Sequence, residues 1–485
     1  MTFNSWEFLI FYPVVLLLWF TLPKVCRRPM LLIASYFFYM CYQAELVFLI
    51  FGTTLISWGA SFLIEKSQNK KVRRAALALT LVVCLGVLFF YKYFNFFTGT
   101  VCGLISLFGG TVQPIVLDLI LPVGISFYTF QTLSYVIDVY RGDIHTEKNF
   151  FWYALFVSFF PQLVAGPIER PENLLPQLTA EHTWNRDDAV KGAKHMLLGF
   201  FKKVVVADTI SVYVDAVYNQ PSGATGLGVL LATVLFAVQI YCDFSGYTDI
   251  AIGCARVMGI RLMKNFDHPY TATSIREFWA RWHISLSTWF RDYLYIPLGG
   301  SRCKKWRHMM NLFIVFLVSG LWHGANLTYV VWGAIHGLYQ IVGNLSRPAR
   351  DRLLSRAGLS ASSRGVILWR RLATFCLVSF AWIFFRAGSI ADAGTLIAAL
   401  FTKWSTAPAA VFSGMGLTLL RALTVIVSVL LLLLLDRLLT HGDGPDGSAL
   451  YVRRGGYVYL VWIVAFAWAL LLSKGMESTF IYFQF

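Results

Sequence analysis

The chain repeatedly strings together about 18 to 22 apolar residues, the length at which an α-helix bridges the hydrocarbon core of a bilayer. Such stretches run near 6–22, 45–64, 75–94, 117–137, 196–217, 228–243, 309–323, 326–344, 369–386, 416–436 and 455–473. Shorter apolar pieces at 30–42, 97–108, 150–165 and 390–402 suit short, tilted or re-entrant helices. Backbone in lipid must satisfy its own polar groups, so stretches this long predict helices. Composition agrees: 57% of the 485 residues are hydrophobic, 14% are charged, and the mean hydropathy is +0.62. The expected fold is an all-α polytopic membrane protein of about 11–13 transmembrane helices with additional re-entrant or interfacial ones.

The first span begins at Trp6 without a basic leader or a small-residue cleavage site, so it reads as a retained helix and not as a removed signal. With no internal repeat or long linker, residues 1–485 read as a single domain carrying no attached soluble domain. It divides into N-terminal helices (1–120), a central part rich in motifs (121–344) and C-terminal helices (345–485).

The net charge of +16 comes from 41 Lys and Arg against 25 Asp and Glu. These cations cluster between spans, at Lys24, Arg27 and Arg28, at Lys66 to Arg74, at Arg302 to Arg307 and at Arg347 to Arg371. That is the positive-inside pattern of cytoplasmic loops, and it excludes a nucleic-acid partner as the reason for the charge. Eight scattered cysteines form no CxxC pair and read as apolar fillers, with no metal site expected.

Polar groups inside such a chain are costly and need a reason. Two Trp-His steps stand out, Trp282-His283 in FWARWHISLSTWFRDYLYIPLGG and Trp322-His323 in SGLWHGA. Read as one helix, 275–298 places Trp279, His283, Leu286, Phe290 and Tyr293 on one face and Arg281, Ser285, Thr288 and Asp292 on the other. That predicts an amphipathic interfacial helix with its histidine on the apolar side. A core histidine bonded to backbone is the plainer reading of His283.

His323 lies inside a GxxxG step formed by Gly320 and Gly324, and His336 inside another formed by Gly333 and Gly337. The two steps predict a tight helical hairpin turning at Asn326, with interhelical hydrogen bonding as the simplest role for His336. Prolines at 161, 167, 171 and 176 interrupt a membrane-like region and predict either a re-entrant segment or an ordinary loop. Gln131, Asp243, Ser245 and Asp249 are further polar residues within apolar stretches.

An imidazole with a pKa near pH 7 suits general-base work on an acceptor hydroxyl, and hence acyl transfer. No GxSxG, HExxH, Walker A or GxGxxG motif offers another chemistry. A polysaccharide or lipid transporter is the alternative from another class; it calls for two related halves, and none is present.

The strings LPVGISFYTFQTLSYVIDVYRGDI, FPQLVAGPIERPENLLPQ, QIYCDFSGYTDIAIG, RWHISLSTWFRDYLYIPLGGSR, SGLWHGANLTYVVWGAIHG and the closing FIYFQF resemble the membrane-bound O-acyltransferases. The likeness is to the bacterial branch that O-acetylates alginate and peptidoglycan and transfers D-alanine to teichoic acids. It covers roughly residues 121–344 and the C terminus.

The resemblance implies catalytic roles for His323, as base, and His283, as its support. Trp282, Trp322, Gln131, Asp243 and Ser245 would line the substrate site. It also implies a ring of tilted helices around a tunnel, in a multi-pass protein of the bacterial cytoplasmic membrane. No bound cofactor is implied. The donor would be a cytoplasmic thioester, acetyl-CoA, with a carrier-protein D-alanyl thioester as the rival. A separate periplasmic or extracellular protein would complete transfer to an exported polysaccharide.

Overall fold

A computed structural model describes residues 1–164 and 166–439 of the chain, so the stretch at 455–473 and the terminal FIYFQF lie outside the described residues. Every regular element among them is helical, and contacts group the chain into two compact units.

The first unit comprises Met1–Gly199 and Tyr247–Met263. Its helices are α1 (Trp6–Thr21), α2 (Lys24–Met40), α3 (Val47–Lys66), α4 (Lys70–Leu88), α5 (Phe94–Leu107), α6 (Ile125–Arg141), α7 (Phe150–Ser158), α8 (Phe160–Leu163), α9 (Pro171–Thr179) and α10 (Arg186–Phe200). A π-helical turn, Phe89–Tyr93, joins α4 to α5.

The second unit comprises Phe200–Gly246 and the described residues from Lys264 onward. It holds α11 (Asp208–Tyr218), most of α12 (Gly226–Val257), α13 (Ile275–Arg281), α14 (Ile284–Phe290), α15 (Lys305–His323), α16 (Leu327–Arg356), α17 (Arg364–Arg386), α18 (Ile390–Thr402), α19 (Pro408–Gly414) and α20 (Leu419–Leu439).

Local chemistry sets these boundaries. Side-chain oxygens of Ser5, Asn69, Asn149, Ser274, Asn326 and Ser389 cap helix N-termini, satisfying amides that the helix itself leaves open. The stretch expected at 117–137 becomes helical only at Ile125, because Pro122 and Gly124 precede it. Gly124 has φ 72°, and a Cβ there would sit 2.5 Å from the Leu163 carbonyl oxygen, so only glycine fits. The stretch expected at 228–243 runs on to Val257, carrying Asp243, Ser245 and Asp249 inside one 32-residue helix.

Four helices among the described residues are long and apolar enough to cross a membrane: Ala44–Lys66, Lys70–Leu107, Gly226–Val257 and Arg364–Arg386. A fifth arises if α19 and the first part of α20, bent by 79°, form one broken span. Others of the expected apolar stretches form shorter helices among the described residues, such as α1 and α18. Phe48, Leu79, Val82, Leu368, Trp369 and Leu372 point outward, the apolar surface that lipid covers and water would not tolerate.

In the first unit, Tyr12 Oη donates to the Cys254 carbonyl at 2.9 Å and Trp19 Nε1 to that of Met258 at 3.1 Å. The proline-rich region folds into α8, an irregular buried segment around Glu169, and α9. Glu169 accepts from the Asn173 amide at 2.7 Å and from the Met263 backbone N–H at 2.5 Å. Burial pushes its carboxyl up to about 7.

Candidate active site

The second unit brings both Trp-His steps together. Helices α15 and α16 form the hairpin expected from the glycine spacing, turning at Gly324–Asn326. Asn326 Oδ1 accepts from the Thr328 N–H at 3.0 Å and its amide donates to the Gly388 carbonyl at 2.9 Å. A Cβ on Gly320 would lie 2.2 Å from the Tyr329 carbonyl oxygen, and one on Gly333 2.3 Å from that of Phe316. The two backbones therefore touch where these glycines cross, and no other residue type allows it.

This crossing sets His323, the last residue of α15, in a buried aromatic setting. Its ring centroid lies 5.0 Å from Trp322, 5.1 Å from Trp332, 5.4 Å from Phe385 and 6.5 Å from His283.

His283 corrects the expectation of one continuous helix over 275–298. The chain breaks there into α13 and α14, and His283 takes φ 44°, ψ 55°, a left-handed conformation that non-glycine residues rarely adopt. Asn265 holds the break. Its side-chain oxygen accepts from the Ser285 N–H at 3.1 Å and the Ser285 hydroxyl at 2.9 Å, while its carbonyl accepts from the Ile284 N–H at 2.9 Å.

The same Asn265 oxygen lies 3.1 Å from His283 Nδ1. An amide oxygen only accepts, so Nδ1 carries the proton and Nε2 is the basic nitrogen of the ring. The stacked and edge-on rings of Phe244, Phe266 and Trp322 surround it, Phe244 at 4.7 Å. Trp282 packs among Phe266, Phe278 and Trp382.

A family model described as membrane-bound O-acyltransferase matches residues 145–387, the part that holds both histidines. A "probable alginate O-acetylase" of Pseudomonas aeruginosa is 41% identical over 408 residues, covering 83% of this chain and 75% of the relative. The chain belongs to the membrane-bound O-acyltransferase family. It is also 37% identical to the protein of the same description from Pseudomonas putida, over the full length of both chains. A peptidoglycan O-acetyltransferase of Helicobacter pylori is 33% identical, covering 81% of this chain and 78% of the relative.

The other polar residues of this acyltransferase picked out from its sequence, Gln131, Asp243 and Ser245, are all buried. Phe244 faces His283, so Asp243 and Ser245, each one residue away on α12, point about 100° to either side. Asp243 ion-pairs with Lys203 at 2.6 Å, and Lys203 also reaches Asp208 at 2.9 Å, all three being buried. The buried carboxylate is thus paired with a lysine from the π-helical turn Phe201–Ala207. Ser245 is buried, with no hydrogen-bond partner for its hydroxyl among the described residues. Gln131 belongs to the first unit, where its amide donates to the Phe156 carbonyl at 2.6 Å.

Sequence reasoning missed Asn265 and Lys203. Asn265, fully buried amid LMKNFDH, bears no motif, and Lys203 is one of two adjacent lysines ending an otherwise apolar run. A buried lysine within reach of Asp243 is the signal that charge balance alone could have raised. Among the described residues, no group of three or more His, Cys, Asp or Glu could hold a metal ion.

Proposed function

We propose that this acyltransferase carries an acetyl group from a thioester donor, acetyl-CoA, reached from the cytoplasmic face, to hydroxyls of an exported or cell-surface polysaccharide. The reading rests on the relatives, which are named for O-acetylation of alginate and peptidoglycan. The observation that carries it is the approach of His283 to His323 in one buried aromatic setting.

In this reading His323 accepts the proton of the acceptor hydroxyl as that oxygen attacks the thioester carbonyl. The new C–O bond forms, the C–S bond breaks, and the departing thiolate takes the proton back from His323. His283, oriented by Asn265, places its Nε2 toward the donor or acceptor. Trp282 and Trp322 exclude water around both rings. Asp243 acts through Lys203, and Ser245 adds polar lining. Helices enclosing a tunnel would let the cytoplasmic donor meet an acceptor across the bacterial inner membrane, where a secreted partner completes transfer to the polymer.

The test is labelled acetyl release or transfer from acetyl-CoA by purified His323→Ala with an unchanged melting curve. A loss of about 10³-fold or more is expected for removal of a general base that also returns the proton. Full activity in the variant removes His323 as base, and transfer of D-alanine from a carrier-protein thioester instead replaces the donor.

A further inference from the structure

One face of α16 carries Thr328, Trp332 and His336 at four-residue intervals, so the three side chains stack along successive turns. All are fully buried, and Thr328 Oγ1, Trp332 Nε1 and His336 Nε2 have no hydrogen-bond partner among the described residues. Three orphaned polar groups in line on one helix are unusual, because buried donors are nearly always paired.

The protonation of His336 follows from its neighbour. Trp279 Nε1 donates to His336 Nδ1 at 3.2 Å. An indole nitrogen can only donate, so Nδ1 holds the lone pair and Nε2 holds the hydrogen. His336 is therefore a neutral donor and no candidate for a base. The Trp332 ring lies 4.9 Å from it and, on its other side, edge-on to His323 at 5.1 Å. Contacts of these N–H groups with aromatic faces are weak substitutes for an oxygen acceptor.

We propose that Trp332 Nε1–H and His336 Nε2–H are the hydrogen-bond donors for the acyl carbonyl oxygen of the thioester. This deepens the reading of His323 as the base and rests on it. Attack at the carbonyl carbon moves the C=O electron pair onto that oxygen. Fixed donors in a dry site stabilise the resulting charge without any proton leaving His336. The acyl carbon then lies on the His323 side of Trp332 and its oxygen toward the face of α16.

The experiment compares binding of acetyl-CoA with that of its ethyl thioether, in which a methylene replaces the carbonyl. It uses the full chain in a His323→Ala background, so that the donor is not consumed. Acetyl-CoA is expected to bind about tenfold more tightly than the thioether. Trp332→Phe, which keeps the ring and its stack on Trp382, and His336→Leu should each erase most of that preference. His336→Gln, which still offers an acceptor to Trp279 and an N–H beyond it, should keep a part.

With His323 intact, each loss of a donor should lower kcat by about 10²-fold. Equal weakening of both ligands, or a preference unchanged in Trp332→Phe and His336→Leu, overturns the donor pair and leaves His323 untouched. Binding of neither ligand overturns the thioester reading itself, and this inference with it. Should Trp332→Phe not fold, His336→Leu against His336→Gln reads the same ratio.

Discussion

The imidazole rings of His283 and His323 lie 6.5 Å apart and tilted by 59°, although forty residues of chain separate them. That distance is too long for a direct hydrogen bond between the rings. It is short enough for both to touch one bound group. The arrangement depends on a glycine crossing on one side and on an asparagine-held backbone break on the other.

Asn265→Ala removes the oxygen that lies against His283 Nδ1 and accepts from both donors of Ser285. Stability should fall by about 1–3 kcal/mol, the cost of leaving buried donors unsatisfied. Acyl transfer should fall further than stability explains, since the ring is no longer held in one tautomer. Melting curves and kcat measured on the same preparation check this; a proportionate fall in both would make Asn265 purely structural.

The left-handed backbone at residue 283 separates two kinds of substitution. Asparagine tolerates such angles, so His283→Asn should melt near the wild type while losing activity. His283→Val forces a β-branched side chain into φ 44° and should cost about 1–3 kcal/mol beyond the lost ring. Equal melting temperatures for the two variants would mean that α13 and α14 join differently.

Lys203 stands between two buried carboxylates, Asp208 and Asp243. Lys203→Met takes away the ammonium that both carboxylates face and should cost about 3–5 kcal/mol, seen as poor accumulation or a lowered melting point in detergent. Lys203→Met combined with Asp243→Asn should recover a part of that loss, a non-additivity that a double-mutant cycle measures. Strict additivity would show that the pair does not couple.

Glu169, held by burial at about 7, favours the folded state in its protonated form. In the unfolded chain the same carboxyl ionises at about 4.3. Its contribution is therefore complete below that value and is lost as pH rises toward and through about 7. Thermal stability should decline from pH 5 to 8, and Glu169→Gln should flatten the decline. A wild-type profile without slope over that window would place the carboxyl in water.

The helical hairpin was legible because its signals are local: glycines at four-residue spacing and an asparagine cap beside an apolar run. The same was true of the N-terminal helices. The break at His283 was not, since neither glycine nor proline marks it and the apolar spacing continues through it. What decides it is Asn265, eighteen residues earlier, whose four accepted bonds outweigh one more turn of helix. Ion pairing was equally hidden, because Asp243 meets Lys203 only after α12 and the π turn are in place.

The contact of Gly320 with Gly333 bears on how substrates could enter. A helix packed through ordinary side chains can slip one turn and find new grooves. Here a one-turn slip of α15 along α16 would set the Phe316 side chain against the Tyr329 carbonyl that Gly320 now meets, and the short turn at Gly324–Asn326 opposes a slip the other way. The hairpin has one register, so it works as a fixed jaw and not a sliding gate. Whatever opens to admit substrates must be another element, and His323, at the end of α15, stays fixed against α16.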